Sequence, residues 1–201
     1  FLQTIGIISN LEFDIQEVGT TQLGRWGKCK LATVAFGHGI ATTLLQLSKG
    51  YSIISNGGYE VTPTLLEREK LQRQRILNEN LSETINPILR KIVSTKEGTA
   101  GFANVKGYEI GGKTGTADQP SKGGYSKKKV NTFASVFPTS DPKFVLAVML
   151  DEPKANREFV YHYRDDRYPY KGNWRNTAGW TTVWVTGQIM DKIGPILATK
   201  Y

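Results

Sequence analysis

Apolar positions between residues 40 and 54 recur at the spacing of one helix face. They are Ile40, Leu44, Leu47, Tyr51 and Ile54, separated by four and three residues in turn. The sequence Asn56-Gly57-Gly58 follows, and glycine readily takes the left-handed backbone that ends a helix. The pattern therefore predicts a core helix that stops at Asn56.

A second helical pattern lies in the middle of the chain and stops at Gly98. Its apolar positions are Leu81, Ile85, Ile88, Leu89, Ile92 and Val93. Pro87 falls inside this pattern and has no backbone N–H to donate to the preceding turn. We therefore expect this helix to break or restart there, with Asn86 as the candidate cap of the second part.

Three extended segments follow, at residues 107–117, 129–137 and 143–150, each rich in β-branched or aromatic residues. Only Pro138–Pro142 separates the last two, which is enough for a hairpin but too short for the crossover between parallel strands. Apolar positions from Trp180 to Ile193 predict a closing helix that packs on the sheet. The predicted fold is thus α+β, an antiparallel sheet flanked by helices.

Residues 152–178 are polar and aromatic without a regular period, which predicts a long surface loop. Within it, the charged aromatic stretch Phe159–Trp174 has two readings. It is a contact surface for a partner protein or glycan, or a plain surface insertion, and the second reading is favoured.

Composition limits the class of protein. The 201 residues are 39% apolar and 10% aromatic, which excludes a disordered chain, and the longest apolar run, Phe144–Leu150, is too short to span a bilayer. The formal net charge is +8, but the basic residues are scattered and only Lys127–Lys129 forms an unbroken run. We therefore expect one globular domain, or a piece of one, without a nucleic-acid partner.

The stretch GYEIGGKTGTA, Gly107–Ala117, fits two motifs. Residues 107–114 match G-x-x-x-x-G-K-[ST], a loop that holds nucleotide phosphates, and FVLAVMLDE at 144–152 imitates a magnesium-binding strand. A phosphate loop must open a helix, however, and the glycines and proline after Thr114 predict none. Such loops also belong to parallel sheets, so a nucleotidase is kept only as a remote alternative.

The second motif is Lys113-Thr114-Gly115, followed by Thr116, on a strand that lines a serine acyl-transfer site. An ammonium and a hydroxyl, from Lys113 and Thr114, suit a substrate carboxylate. Gly115 lets a substrate backbone lie against the strand, and Thr116 offers a backbone N–H to a developing oxyanion. For so short a motif, a glycine-rich strand end with one surface lysine is an equally good reading.

Four segments, at 36–58, 97–117, 130–153 and 179–197, together resemble the C-terminal half of the transpeptidase domain of class B penicillin-binding proteins, nearest to the division-specific FtsI type. The resemblance implies the penicillin-binding transpeptidase and serine β-lactamase-like fold. It also implies a cofactor-free peptidoglycan D,D-transpeptidase that acts on D-Ala-D-Ala stem peptides and is blocked by β-lactams. Lys113 and Thr114 would bind the carboxylate, Gly115 would lie beside the substrate, and Thr116 would supply an oxyanion N–H.

The same family requires S-x-x-K on a helix and S-x-N, and neither stands where the resemblance expects it. The formal matches, Ser126–Lys129 and Ser140–Lys143, fall in a glycine-rich basic loop and a proline-containing turn. We therefore expect residues 1–201 to be the C-terminal part of one transpeptidase domain that cannot be acylated alone. The alternative is a non-catalytic module that binds wall peptides or a partner.

The resemblance further implies a place at the periplasmic face of the bacterial inner membrane, through an N-terminal anchor outside this sequence. Proteins of the division machinery are its implied partners. No metal ligand set is expected, and the single cysteine, Cys29, forms no disulfide within the chain.

Overall fold

The chain forms two compact units, Phe1–Glu83 and Thr84–Tyr201. The computed structural model describes residues 1–16, 18–67, 73–121, 124–154, 156, 158–162, 170–171 and 175–200. None of the helices in these ranges is both long and apolar enough to cross a membrane.

The first unit is built around one helix. Its elements are α1 at Lys30–Val34, α2 at Leu44–Ser55, and the antiparallel pair β1 at Gln22–Leu23 with β2 at Ile40–Ala41. The core contains Ile53 of α2 packed with Ile5 and Ile7. The predicted core helix is confirmed, but it begins later than expected because Ile40 pairs in β2.

Hydrogen bonds at both ends explain the limits of α2. The Thr43 hydroxyl accepts from the Gln46 N–H, and the Gln46 side chain accepts from the Thr43 N–H, each over 3.1 Å. These two bonds form a capping box that satisfies N–H groups left free by the helix start. At the other end Gly57 has a φ of 89°, so the predicted stop after Asn56 is confirmed.

Helix α3 runs unbroken from Asn80 to Ser94 and contains Pro87. The prediction that Pro87 breaks or restarts the helix is therefore wrong. Pro87 and Ile88 are exposed, whereas Leu89 and Val93 are buried. Burial of two such side chains contributes roughly 1.5–3 kcal/mol each, which offsets the roughly 3 kcal/mol that an internal proline costs.

The second unit contains a three-stranded antiparallel sheet with the order β3-β4-β5. The strands are Gly111–Ser121, Gly124–Phe137 and Phe144–Asp151. Helix α4, at Thr182–Lys200, buries Val183 and Met190 in the same core cluster as Phe133 and Phe137 of β4. The α+β architecture and the hairpin after Phe137 are confirmed.

The predicted surface loop at 152–178 contains structure and core residues. It holds β6 at Val160–Tyr161 and β7 at Tyr170–Lys171, which pair antiparallel. Tyr161 is buried, with its ring 5.3 Å from that of Phe102 and 5.1 Å from that of Trp180. The surface prediction is thus wrong for Tyr161, while 163–169 and 172–174 lie outside the described residues.

Candidate active site

Lys113, Thr114, Gly115 and Thr116 lie in the middle of strand β3, with Thr116 opposite Asn131 of β4. The strand continues to Ser121, so no helix opens after Thr114 as a phosphate loop requires. The sheet is antiparallel throughout these strands. Both findings exclude the nucleotidase alternative.

Two of these residues direct their backbone N–H groups away from the neighbouring strand β4. The Glu152 N–H, just beyond the end of β5, donates to the Lys129 carbonyl of β4 over 2.9 Å. Since Lys129 directs its backbone groups toward β5, the other odd-numbered residues of β4 do the same. Their partners in β3 are even-numbered, and hydrogen-bonding direction alternates along a strand. The N–H groups of Thr114 and Thr116 therefore point to the edge of β3 that pairs with no other described strand, which we call its open edge.

The position of the Lys113 ammonium agrees with this direction. Lys113 Nζ donates a hydrogen bond of 2.8 Å to the carbonyl oxygen of Thr114. That carbonyl is on the same side of the strand as the Thr114 N–H. The ammonium thus lies at the edge of β3, although side-chain alternation directs the Lys113 Cβ to the opposite face from Thr114.

A cleft of about 400 Å³ lies on the face of β3 that carries Thr114 and Thr116. We call it the threonine cleft. Its lining residues come from β3, the segment after α3 and the turn before α4, and they are Thr95, Lys96, Gly98, Thr99, Gly101, Phe102, Thr114, Thr116, Thr177, Gly179 and Trp180. Lys113 and Gly115 are not among them.

Two hydrogen bonds join β3 to the other walls of the threonine cleft. The hydroxyl oxygens of Thr99 and Thr114 are 3.0 Å apart, and the Thr116 hydroxyl accepts from the Ala178 N–H over 2.9 Å. Gly179 permits the close approach of these walls, because a Cβ there would lie 2.6 Å from the Thr99 carbonyl oxygen. The hydroxyls of Thr114 and Thr116 are therefore held in fixed positions.

A buried amide supports the turn before α4. Asn131 is fully buried, and its Nδ2 donates to Asn176 Oδ1 over 2.8 Å and to Thr181 Oγ1 over 3.0 Å. The Thr181 hydroxyl in turn donates to the Thr177 carbonyl over 3.0 Å. Asn131 thus holds both ends of the segment that contributes Thr177 and Gly179 to the cleft.

The charge in the threonine cleft is positive. Lys96 is the one charged side chain among its lining residues, and the others that are polar are threonine hydroxyls and the Trp180 indole. Hydroxyls with a nearby ammonium suit an anionic group such as a carboxylate. Among the described residues no three His, Cys, Asp or Glu side chains come together as a metal site.

The sequence indicated part of this site. The K-T-G pattern singled out Thr114 and Thr116, which line the cleft, and Lys113 and Gly115, which do not. Sequence reasoning missed Thr99 and the turn at 177–180, although Thr99 and the second half of the turn fall in the segments EGTAGF and GW that contributed to the resemblance. No motif pointed to the supporting amide of Asn131.

Neither formal S-x-x-K match lies on a helix. Ser126 and Lys129 are in strand β4, where residues three apart face opposite sides. Ser140 lies in the turn between β4 and β5, and its hydroxyl donates to the Glu109 carboxylate. The expectation that these pairs lack helical geometry is confirmed.

The sequence matches a known protein family over most of its length. The family described as the penicillin binding protein transpeptidase domain matches residues 3–166. The chain is 28% identical to a probable peptidoglycan D,D-transpeptidase FtsI of Caulobacter vibrioides, over 100% of this chain and 34% of that protein. It is 31% identical to stage V sporulation protein D of Bacillus subtilis, over 79% of this chain and 27% of that protein. The chain thus spans about a third or less of these relatives.

Solved structures share the fold. The transpeptidase domain of penicillin-binding protein 3 from Burkholderia pseudomallei superposes with a TM-score of 0.77 at 23% identity, over 96% of this chain and 55% of that chain. Penicillin-binding protein 3 from Mycobacterium tuberculosis in complex with ampicillin gives 0.74 at 23% identity, over 96% and 45%.

Proposed function

The chain belongs to the penicillin-binding protein transpeptidase family, and from this premise we propose that it forms the K-T-G wall of a peptidoglycan D,D-transpeptidase site. The observation that carries the proposal is the arrangement of Thr114 and Thr116. Both direct their hydroxyls into the threonine cleft, and both present a backbone N–H at the open edge of β3. An extended peptide substrate pairs with an edge strand of this kind.

The roles follow from the positions of the donors. The Thr114 hydroxyl and the Lys113 ammonium, which meets the Thr114 carbonyl at the strand edge, bind the terminal carboxylate of a D-Ala-D-Ala stem peptide. The Thr116 N–H binds the oxyanion that forms at the penultimate D-Ala carbonyl. Gly115 adds no side chain beside the substrate backbone.

The reaction proceeds through an acyl-enzyme. A serine hydroxyl attacks the penultimate D-Ala carbonyl while its proton passes to a base. The base returns the proton to the terminal D-Ala nitrogen as the bond to that nitrogen breaks, and D-Ala leaves. The amine of a second stem peptide then attacks the ester, forms the crosslink and releases the serine. β-Lactams resemble the D-Ala-D-Ala substrate and acylate the same serine, but the resulting acyl-enzyme breaks down only slowly.

The serine comes from a segment other than residues 1–201 in this proposal. Support comes from the two formal S-x-x-K pairs, which lie in a strand and in a turn. Residues 1–201 are then the C-terminal part of one transpeptidase domain. The enzyme acts in septal wall synthesis with division proteins as partners, at the periplasmic face of the inner membrane.

Intact mass after incubation with benzylpenicillin tests this proposal. We expect no adduct on the 201-residue chain, and one adduct on a protein that also carries the preceding part of the transpeptidase domain. In that longer protein, Lys113→Ala should lower the acylation rate constant about 10- to 150-fold. This range corresponds to the roughly 1.5–3 kcal/mol that a hydrogen bond to a charged group contributes.

The control is Lys127→Ala, which removes an exposed charge of β4 away from the threonine cleft. Equal acylation rate constants for the two variants would contradict the role proposed for Lys113. An adduct on the 201-residue chain would place the nucleophile within it. Binding of a D-Ala-D-Ala peptide without acylation of the longer protein would favour the non-catalytic module.

A further inference from the structure

A second cleft, of about 490 Å³, lies beside the C-terminal end of α3. We call it the basic cleft. Its lining residues are Arg90, Val93, Ser94, Thr95, Lys96, Gly101, Asn104, Lys106, Gly107 and Glu109. Thr95, Lys96 and Gly101 also line the threonine cleft, so the two clefts share one wall.

The side chains around the basic cleft are mostly cationic. Arg90, Lys96 and Lys106 carry positive charge, and Glu109 is the one acidic residue among the lining residues. Among the described residues, no carboxylate comes within ion-pair distance, 4.0 Å, of any of these three cations. The cleft therefore has a net positive charge that its own residues do not neutralise.

Arg90 is the most informative of the three cations. Its guanidinium is half-buried and donates to the Ile110 carbonyl over 2.7 Å and to Asn104 Oδ1 over 2.9 Å. Burial lowers the pKa of Arg90, and the nearby Glu109 carboxylate opposes this effect only in part. The guanidinium has thus lost part of its hydration, and two neutral acceptors hold it in place.

The Glu109 carboxylate is held by another part of the protein. Its oxygen Oε2 accepts from the Ser140 N–H over 3.4 Å and from the Ser140 hydroxyl. The Glu109 carbonyl accepts from the Thr139 N–H over 3.0 Å, and its φ of 47° is unusual for a residue with a side chain. These bonds fix Glu109 on the turn after β4 rather than on Arg90.

We propose that the basic cleft binds an anionic group, a carboxylate or a phosphate, on a ligand that contacts Arg90, Lys96 and Lys106. Space for the group is present beside Gly107, where an added Cβ would meet no atom within 4 Å. Such a ligand touches the segment from Thr95 to Gly101 that also walls the threonine cleft. Anion binding in the basic cleft does not depend on the proposed transpeptidase activity.

The test is a titration of the 201-residue chain with inorganic phosphate and, separately, with succinate, at constant ionic strength set by sodium chloride. NMR signals of the Gly101, Asn104 and Gly107 amides report binding at the cleft. We expect saturable shifts with at least one of the two anions. Tighter binding of phosphate indicates a phosphate-bearing ligand, and tighter binding of succinate indicates a carboxylate-bearing one.

Two variants locate the binding. Lys106→Gln removes a positive charge from the basic cleft and should weaken anion binding at least fivefold. Lys127→Gln removes the same charge from β4, away from the cleft, and should leave anion binding unchanged. Shifts that do not saturate with either anion would overturn the proposal. An equal loss in both variants would also overturn it, because the effect would then be one of net charge.

Discussion

The Thr116 hydroxyl accepts a hydrogen bond of 2.9 Å from the backbone N–H of Ala178, 62 positions further along the chain. Ala178 is fully buried, so its N–H is out of reach of bulk water. The bond joins the strand that carries the K-T-G residues to the turn that forms the opposite wall of the threonine cleft. The side chain of Thr116 therefore has a structural role that is separate from the oxyanion role proposed for its backbone.

Thr116→Val tests this structural role. Valine keeps the branched shape but has no acceptor, so the buried Ala178 N–H loses its partner. We expect the free energy of unfolding to fall by about 1–3 kcal/mol and amide exchange of Ala178 to accelerate. Thr116→Ser retains the hydroxyl and should preserve the slow exchange. Unchanged exchange of Ala178 in the valine variant would contradict the prediction.

Asn131 and Thr181 should be energetically coupled, because Asn131 Nδ2 donates to the Thr181 hydroxyl over 3.0 Å in a buried setting. A double-mutant cycle of Asn131→Ala and Thr181→Val should give a coupling free energy of about 0.5–3 kcal/mol by chemical denaturation. The matched pair is Asn131→Ala with Thr186→Val. Thr186 is also buried but donates to the Thr182 carbonyl, so its effect should add to that of Asn131. If the free-energy changes are additive in both cycles, the Asn131 side chain does not support the turn before α4.

Two glycines of β3 should respond differently to alanine. A Cβ at Gly112 would lie 2.6 Å from the Ala134 carbonyl oxygen and 2.6 Å from the Phe133 ring, whereas a Cβ at Gly115 meets nothing closer than 3.8 Å. Gly112→Ala should lower the free energy of unfolding by about 1–3 kcal/mol, and Gly115→Ala should change it by less than about 0.5 kcal/mol. Urea denaturation of the two variants checks this difference.

The same pair separates packing from substrate contact. Because Gly115→Ala leaves the fold intact, any loss of β-lactam acylation in the longer protein reports contact between the substrate and this strand. We expect a loss of at least about tenfold, which corresponds to roughly 1.4 kcal/mol. Normal acylation of Gly115→Ala would mean that the substrate backbone does not approach Gly115.

Periodic patterns and turn residues predicted the elements whose stability is local. The stop of α2 at Asn56-Gly57 and the hairpin after Phe137 depend on backbone preferences of a few neighbouring residues. Pro87 is the contrary case, since burial of Leu89 and Val93 outweighs a local preference that the sequence shows clearly. Tyr161 is another, because its partners Phe102 and Trp180 are distant in the chain and leave no periodic signal.

In the candidate site, too, features set by neighbouring residues were predictable and features set by distant contacts were not. A four-residue pattern was enough to find Thr114 and Thr116, but their direction depends on the register between β3 and β4. Thr99 and Ala178 bond to these threonines only because the core brings three segments together. Sequence reasoning therefore found the strand of the site and missed its walls.

Stability at high pH should depend on Tyr51 of α2, whose pKa burial raises to about 12 from an ordinary value of 10.0. Between these pH values the unfolded chain has lost the phenolic proton while the folded chain keeps it. The free energy of unfolding therefore falls as pH rises through this window, by up to about 3 kcal/mol. Below pH 10 the residue is protonated in both states and has no effect.

Urea denaturation of the natural chain and of Tyr51→Phe, from pH 9 to 12, checks this prediction. Burial also raises the pKa of Tyr161, and lysines titrate in the same range, but both proteins share these groups. The difference in the free energy of unfolding therefore isolates Tyr51, and it should shift steadily in favour of the phenylalanine variant above pH 10. Parallel stability curves would mean that the Tyr51 hydroxyl ionises as easily in the folded chain as in the unfolded one.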